Sequence, residues 1–320
     1  MTLADMIHVP LITPFGPTGQ VDTESLEALA HRVLDDGATG LVALGTTAEA
    51  AALDDGERAA VTETVGRVCR ARGARFTVGV GSGATGRTAR ELAALAALPS
   101  LPDAALVTVP SFTRPGEQGV IAHFRELAAA SPVPLTVYHV SFRTGQPLGT
   151  AALRALAAIP GVTGMKYSTG AVDAEIVALL GDRPAGFEVL GGDDVFAPAL
   201  LALGADGAVL ASAHLATARW AELAATGDRE LGHRLSALGA ALFREPNPTV
   251  IKAVLHARGL IPTPYVRLPL LPAGAAARDA ALDLLTALEQ PRTAPARTAG
   301  AAAPAASPAE PRPAAAHLAS

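Results

Sequence analysis

The chain has 320 residues, half of them hydrophobic but only 4% aromatic, with a formal net charge of −5. That charge and the lack of any basic run argue against a nucleic-acid partner. No apolar run reaches membrane-spanning length and no basic-then-apolar leader opens the chain, so a soluble, cytoplasmic protein is expected.

Short apolar strands alternate with helical stretches from the start. Strands are predicted at Ile7–Ile12, Gly40–Gly45, Phe76–Gly81, Ala104–Pro110, Leu135–Val140, Val162–Ser168, Phe187–Gly191 and Gly207–Ala211. Their continuous Val, Leu, Ala and Gly character, without strict alternation, predicts strands covered on both faces. Asp22 reads as the N-cap of a helix carrying Leu26, Leu29, Val33 and Leu34 and closed by Gly37. A second helix carries Val61, Val65 and Val68 and stops before Gly73, which makes the single cysteine, Cys69, an ordinary buried thiol. A third helix follows the glycines near Gly86, and a fourth spans Val120 to Ala130. Eight strand–helix units predict a (β/α)₈ TIM barrel over residues 1–226. The competing topology is a doubly wound open sheet, which needs fewer strands and a switch point.

After the eighth strand the alternation stops. Helices over Leu215–Ala225, Arg229–Phe243, Thr249–Arg258 and Ala275–Leu288 complete the barrel and form a small all-helical domain over 227–290. Residues 291–320 are Ala/Pro-rich low complexity and read as a disordered tail.

Lys166 is one of two lysines in a chain whose other basic side chains are arginine, and it sits in the apolar run Gly161–Ser168. A primary amine kept there can attack a carbonyl carbon and form a Schiff base. It can equally be a buried lysine paired with a carboxylate or reaching out at a strand end. Lys252, in a helical pattern after Asn247-Pro248, reads more blandly. Barrel enzymes carry their working residues at the C-terminal ends of strands. That rule gathers Gly45-Thr46-Thr47-Ala48-Glu49 after strand two, Tyr138 on strand five and Lys166 on strand six. Two hydroxyls and successive N–H groups in the Gly-Thr-Thr turn suit a small carboxylate, although the same residues serve as a helix cap. Arg143 can clamp a second carboxylate or be a surface loop residue. Gly81–Gly86 matches the spacing of a dinucleotide-binding loop, but no acid ends the next strand and no partner for a pyridoxal ring nitrogen stands out. No cofactor and no metal is therefore expected; the eight histidines lack ligand spacing.

Taken in this order, these residues resemble the dihydrodipicolinate synthase / N-acetylneuraminate lyase family of class I aldolase-type enzymes. The similarity runs from about residue 8 to 270 and includes Thr13-Pro-Phe15, Gly45–Glu49, Val109-Pro110 with Arg114-Pro115, and Tyr138. It continues through Arg143-Thr-Gly145, Gly164-Met-Lys166, Gly192-Asp-Asp194, Gly204–Gly207, Asn247-Pro248 with Lys252, and Arg267-Leu-Pro269. The resemblance implies a pyruvate-dependent lyase built as a barrel with a C-terminal helical domain, and a homo-oligomer, dimer or tetramer. It implies that Lys166 forms the imine, that Tyr138 shuttles the proton during carbinolamine collapse, and that Thr46 and Thr47 hold the pyruvate carboxylate; general acid–base work by Tyr138 further calls for its phenol to be hydrogen-bonded to Thr47. Arg143 would receive the carboxylate of aspartate semialdehyde, the default acceptor, and Ala208 on strand eight joins the substrate-binding set.

The chain departs from the family pattern at Ala48, where a glycine is usual, and at Ser111 and Phe112, where the synthases carry two tyrosines. The second of those tyrosines completes a relay across a subunit contact, and Phe112 has no hydroxyl. His139 and His214 stand where the synthases have asparagines. These changes leave two other readings open: an aldolase or dehydratase acting on a sugar-derived or hydroxylated 2-oxo acid, and a non-catalytic 2-oxo-acid-binding protein.

Overall fold

The computed structural model describes residues 6–81 and 83–290. Eight parallel strands close into a barrel in chain order: β1 (Met6–Pro10), β2 (Gly40–Ala43), β3 (Arg75–Val80), β4 (Ala104–Thr108), β5 (Leu135–His139), β6 (Val162–Tyr167), β7 (Glu188–Gly191) and β8 (Gly207–Val209). β8 pairs back onto β1, so the sheet has no free edge. The expected TIM barrel is the fold. Most predicted strands ran slightly past the observed ends, because the first loop residues are as apolar as the strands. At β2 the reason is local: Leu44 turns into the left-handed region, at φ 55°. Gly79 on β3 leaves room for that turn; a Cβ there would lie 2.3 Å from the Leu44 carbonyl oxygen.

The barrel helices are α1 (Thr23–Asp35), α2 (Asp55–Arg72), α3 (Thr85–Ala94), α4 (Gly116–Ala130), α5 (Ser141–Thr144), α6 (Thr150–Ala157), α7 (Ala174–Gly181), α8 (Ala197–Ala202) and α9 (Ala213–Thr226). Asp22 caps α1 by accepting from Ser25 N–H at 3.0 Å, as its position predicted. α2 opens with a reciprocal capping box between Asp54 and Glu57 and closes at Gly73, φ 62°. Helices α5 to α8 leave no clear signal in the sequence. They are too short for a helical period to stand out, and α8 has Pro198 in its first turn.

Side chains separate into two apolar layers. Val42, Leu106, Tyr138, Val140, Leu190 and Val209 fill the barrel interior, while the larger cluster packs between strands and helices. Cys69 belongs to the outer layer, and burial pushes its thiol up to about 12. The N-terminal end of the barrel is closed by polar groups. Arg75 pairs with Glu188 at 2.8 Å, and His8 is held down to about 3 by burial and by the Arg75 charge.

The last helices are α10 (Arg229–Leu242), α11 (Thr249–Ala257) and α12 (Ala275–Glu289). They pack on one another and on α8 and α9, and the chain through Glu289 forms one compact unit. The tail predicted for 291–320 lies outside the described residues. Among the described residues no helix is long and apolar enough to cross a membrane.

Candidate active site

Sheet register places the two central side chains side by side. Tyr138 on β5 is the direct neighbour of Lys166 on β6, and both point into the barrel near its C-terminal end. Lys166 is 7% exposed, with its Nζ 4.5 Å from the centroid of the Tyr138 ring. Its stem packs on Gly192 after β7, where a Cβ would sit 2.6 Å from the lysine Cε. Among the described residues no carboxylate lies within ion-pair distance of this amine, so the paired-lysine alternative does not describe it.

The Gly-Thr-Thr segment forms a single tight turn over Thr46–Ala48, closed by Ala48 and Glu49 N–H groups donating to Gly45 and Thr46 carbonyls. Thr46 stays exposed at the cavity, whereas Thr47 is buried. The Thr47 hydroxyl accepts from the Asn247 amide at 2.9 Å. No hydrogen bond joins Tyr138 to Thr47 among the described residues; the turn directs Thr47 toward the loop before α11, and Thr46 shares the cavities with Tyr138. Ala48 replaces the usual glycine without strain, because the left-handed residue is the next one, Glu49, at φ 53°.

Glu49 is held by a buried clamp. Its carboxylate pairs with the Lys252 ammonium and accepts from Arg267 N–H at 2.9 Å. Lys252 also donates to the Tyr265 carbonyl at 3.0 Å and sits 4.1 Å over the Phe15 ring. Burial pulls this lysine down to about 8, while the Glu49 charge opposes the shift. The bland sequence reading of Lys252 missed this role. Its signal was present in retrospect: a second lysine surviving among arginines, in an apolar helix.

Two cavities meet at the site. A small one of about 20 Å³ is lined by Lys166, Tyr138, Thr46, Thr47, Arg143, Gly192, Asp193, Asp194 and Asn247 among others. A wider one of about 380 Å³ shares Thr46, Tyr138, Arg143 and Asn247 with it and extends past Arg58 and Arg267. Arg143 is exposed on the short helix α5 that follows β5, with its guanidinium 5.5 Å from the Phe142 ring centroid. Ala208 is placed elsewhere: it belongs to the layer between strands and helices, and Val209 and Ala211 line the small cavity instead. Strand alternation is the reason, since Val209 faces inward and its neighbour must face out. A further hollow, about 690 Å³, lies around Arg75 and Glu188 at the opposite end, away from the lysine.

The departures fall into two groups. Phe112 projects from the loop after β4, 96% exposed at φ 69°. His139 and His214 line neither cavity. His214 Nε2 accepts from Ile12 N–H at 3.0 Å, so the proton resides on Nδ1, which donates to the Ala211 carbonyl at 2.7 Å. Burial lowers both imidazoles to about 4, so they are neutral side chains of the barrel wall.

The sequence matches the model of the Dihydrodipicolinate synthetase family over residues 4–288. It is 34% identical over 281 residues to the 4-hydroxy-tetrahydrodipicolinate synthase of Methylococcus capsulatus, covering 85% of this chain and 94% of that one. It is 37% identical over 295 residues to the enzyme of the same name from Xanthomonas campestris pv. campestris, covering 88% and 93%. Among solved structures, a dihydrodipicolinate synthase from Acinetobacter baumannii complexed with pyruvate is similar with a TM-score of 0.83 and 32% identity, over 89% of this chain and 99% of that one. A monomeric dihydrodipicolinate synthase variant gives 0.84 at 26% identity, over 90% and 97%.

Proposed function

The chain belongs to the dihydrodipicolinate synthetase family of Schiff-base lyases, and we propose that it condenses pyruvate with aspartate semialdehyde, as a 4-hydroxy-tetrahydrodipicolinate synthase. The observation that carries this reading is the buried amine of Lys166, set 4.5 Å from the Tyr138 ring and held in no ion pair among the described residues. In the proposed reaction the neutral amine adds to the pyruvate ketone and water is lost to give an iminium. That cation is an electron sink, so a methyl proton can be removed to give an enamine, which attacks the aldehyde carbon.

Each other residue has a place in this scheme. Thr46 and Thr47 hold the pyruvate carboxylate at the turn, and Tyr138 moves the proton to and from the methyl carbon. Arg143 receives the carboxylate of the second substrate, with a fork suited to two parallel hydrogen bonds. Relatives of the same name at 34% and 37% identity support the choice of aspartate semialdehyde. One observation favours a second reading within the family. Phe112 brings a bare ring, 96% exposed, where the resemblance leads one to expect a phenol, and an enzyme for a hydroxylated 2-oxo acid would tolerate that loss.

A coupled assay separates these readings: pyruvate with a panel of aldehydes, beside a panel of hydroxylated 2-oxo acids tested for cleavage. Turnover with aspartate semialdehyde above the others is expected. Turnover confined to the 2-oxo acid panel would replace the synthase with the second reading. Tight pyruvate binding without turnover of any kind would make the protein a binder.

A further inference from the structure

Three arginines line the two cavities that meet at the candidate site: Arg58, Arg143 and Arg267. Two of them are tied to the protein. Arg58 donates to the Ala50 carbonyl at 3.0 Å, and Arg267 pairs with Glu57 while donating to the Ala52 and Gly19 carbonyls at 2.8 Å each. Arg143 differs. Among the described residues its guanidinium makes no ion pair and no hydrogen bond, and its central carbon lies 5.5 Å from the centroid of the Phe142 ring. Both residues belong to α5, which Gly145 closes at φ 69°. Consecutive side chains on a helix do not face each other, so the arginine stem folds back to bring its charge toward the ring. Phe142 is 60% exposed and gains little from core burial, yet it lines the small cavity together with Arg143 and Lys166.

A cation held by an aromatic face differs from one held by a carboxylate. The ring attracts the guanidinium charge within a reach of about 6 Å, but it does not take up the N–H groups as strong acceptors would. The five donors of the fork therefore stay free for a ligand while the charge is steadied. We propose that Phe142 is a positioning residue, which holds Arg143 ready for the carboxylate of the second substrate. The inference rests on the condensation reading above, in which Phe142 touches no reacting atom and acts only through Arg143. An exposed arginine with no such support loses rotamer freedom when the carboxylate arrives, and that loss weakens binding. Held by the ring, it has less freedom left to lose. The gain is confined to binding of the acceptor: it lowers KM for an acidic aldehyde and leaves the chemical steps at Lys166 and Tyr138 alone.

The test measures kcat and KM for aspartate semialdehyde, at saturating pyruvate, with the full-length protein. Phe142→Leu keeps an apolar side chain and removes the aromatic face. It should raise KM about 5-fold with kcat close to wild type, whereas Phe142→Tyr, which keeps the face, should restore the wild-type KM. In an Arg143→Met background Phe142→Leu should make no further difference to kcat/KM. Phe142→Leu at the wild-type KM, a loss in kcat alone, or an equal loss in the Arg143→Met background would each overturn the role of Phe142 and leave the condensation reading standing. A wild-type protein that forms the Lys166 adduct with pyruvate but does not condense it with aspartate semialdehyde would overturn that reading, and this inference with it.

Discussion

Lys252 is fully buried in α11 and Lys166 nearly so in β6, yet their surroundings treat the ammonium group in opposite ways. Around Lys252 the protein supplies a carboxylate, a carbonyl and an aromatic face, all fixed, so the charge is matched and the amine is tied up. Around Lys166 it supplies a phenol ring, a glycine against the stem and a cavity. A lysine held as the first is serves as a structural strut. One held as the second is open to a carbonyl carbon. The strut also braces the candidate site, because the Glu49 it grips closes the turn that carries Thr46 and Thr47.

This contrast can be broken most severely at the amine. Lys166→Arg keeps a cation but removes the primary amine, and activity should fall by at least about 10⁴-fold with little change in melting temperature, checked by turnover assays and calorimetry. The converse is expected at the strut. Lys252→Met strands Glu49 in the core and should cost about 3–5 kcal/mol of stability, measured by urea unfolding. Pairing it with Glu49→Gln should recover most of that loss; no recovery would mean that packing, and not charge, is the function of Lys252.

A smaller effect is expected where the two regions meet. Asn247→Ala removes the hydrogen bond to Thr47, worth about 1 kcal/mol. The KM for pyruvate should rise several-fold while kcat stays near wild type; a fall in kcat alone would assign Asn247 to the chemistry. The mildest expectation concerns the buried imidazoles. An unfolded histidine takes up a proton near 6.5, whereas His139 and His214 do so only near 4 and His8 near 3. Between those values the unfolded chain binds more protons. Stability should therefore decline as pH drops from about 6.5 to about 4, by at most about 1.4 kcal/mol per pH unit for each histidine. Melting temperatures flat over that window would show that these rings are already charged in the fold.

The barrel was legible because its strands are uniformly apolar and bounded by helices with readable caps, as at Asp22 and Gly73. Lys166 and Tyr138 were legible for a chemical reason: an amine and a phenol stand out at the ends of such strands. Three features were not. The partner of Thr47 comes from 200 positions away in sequence, and no local pattern connects it to Asn247. The clamp on Glu49 likewise draws on α11 and the segment around Arg267. Ala208 was assigned to the substrate set although strand alternation turns it toward the helices. Local spacing carries element type; it does not carry which distant groups meet.

With only two lysines in the chain, one reduction experiment weighs them against each other. Borohydride added with pyruvate should leave a single reduced adduct, mapped by mass spectrometry to the peptide that contains Lys166, while the Lys252 peptide stays unmodified. An adduct on Lys252, or none on either lysine in a preparation that turns over pyruvate, would contradict the account.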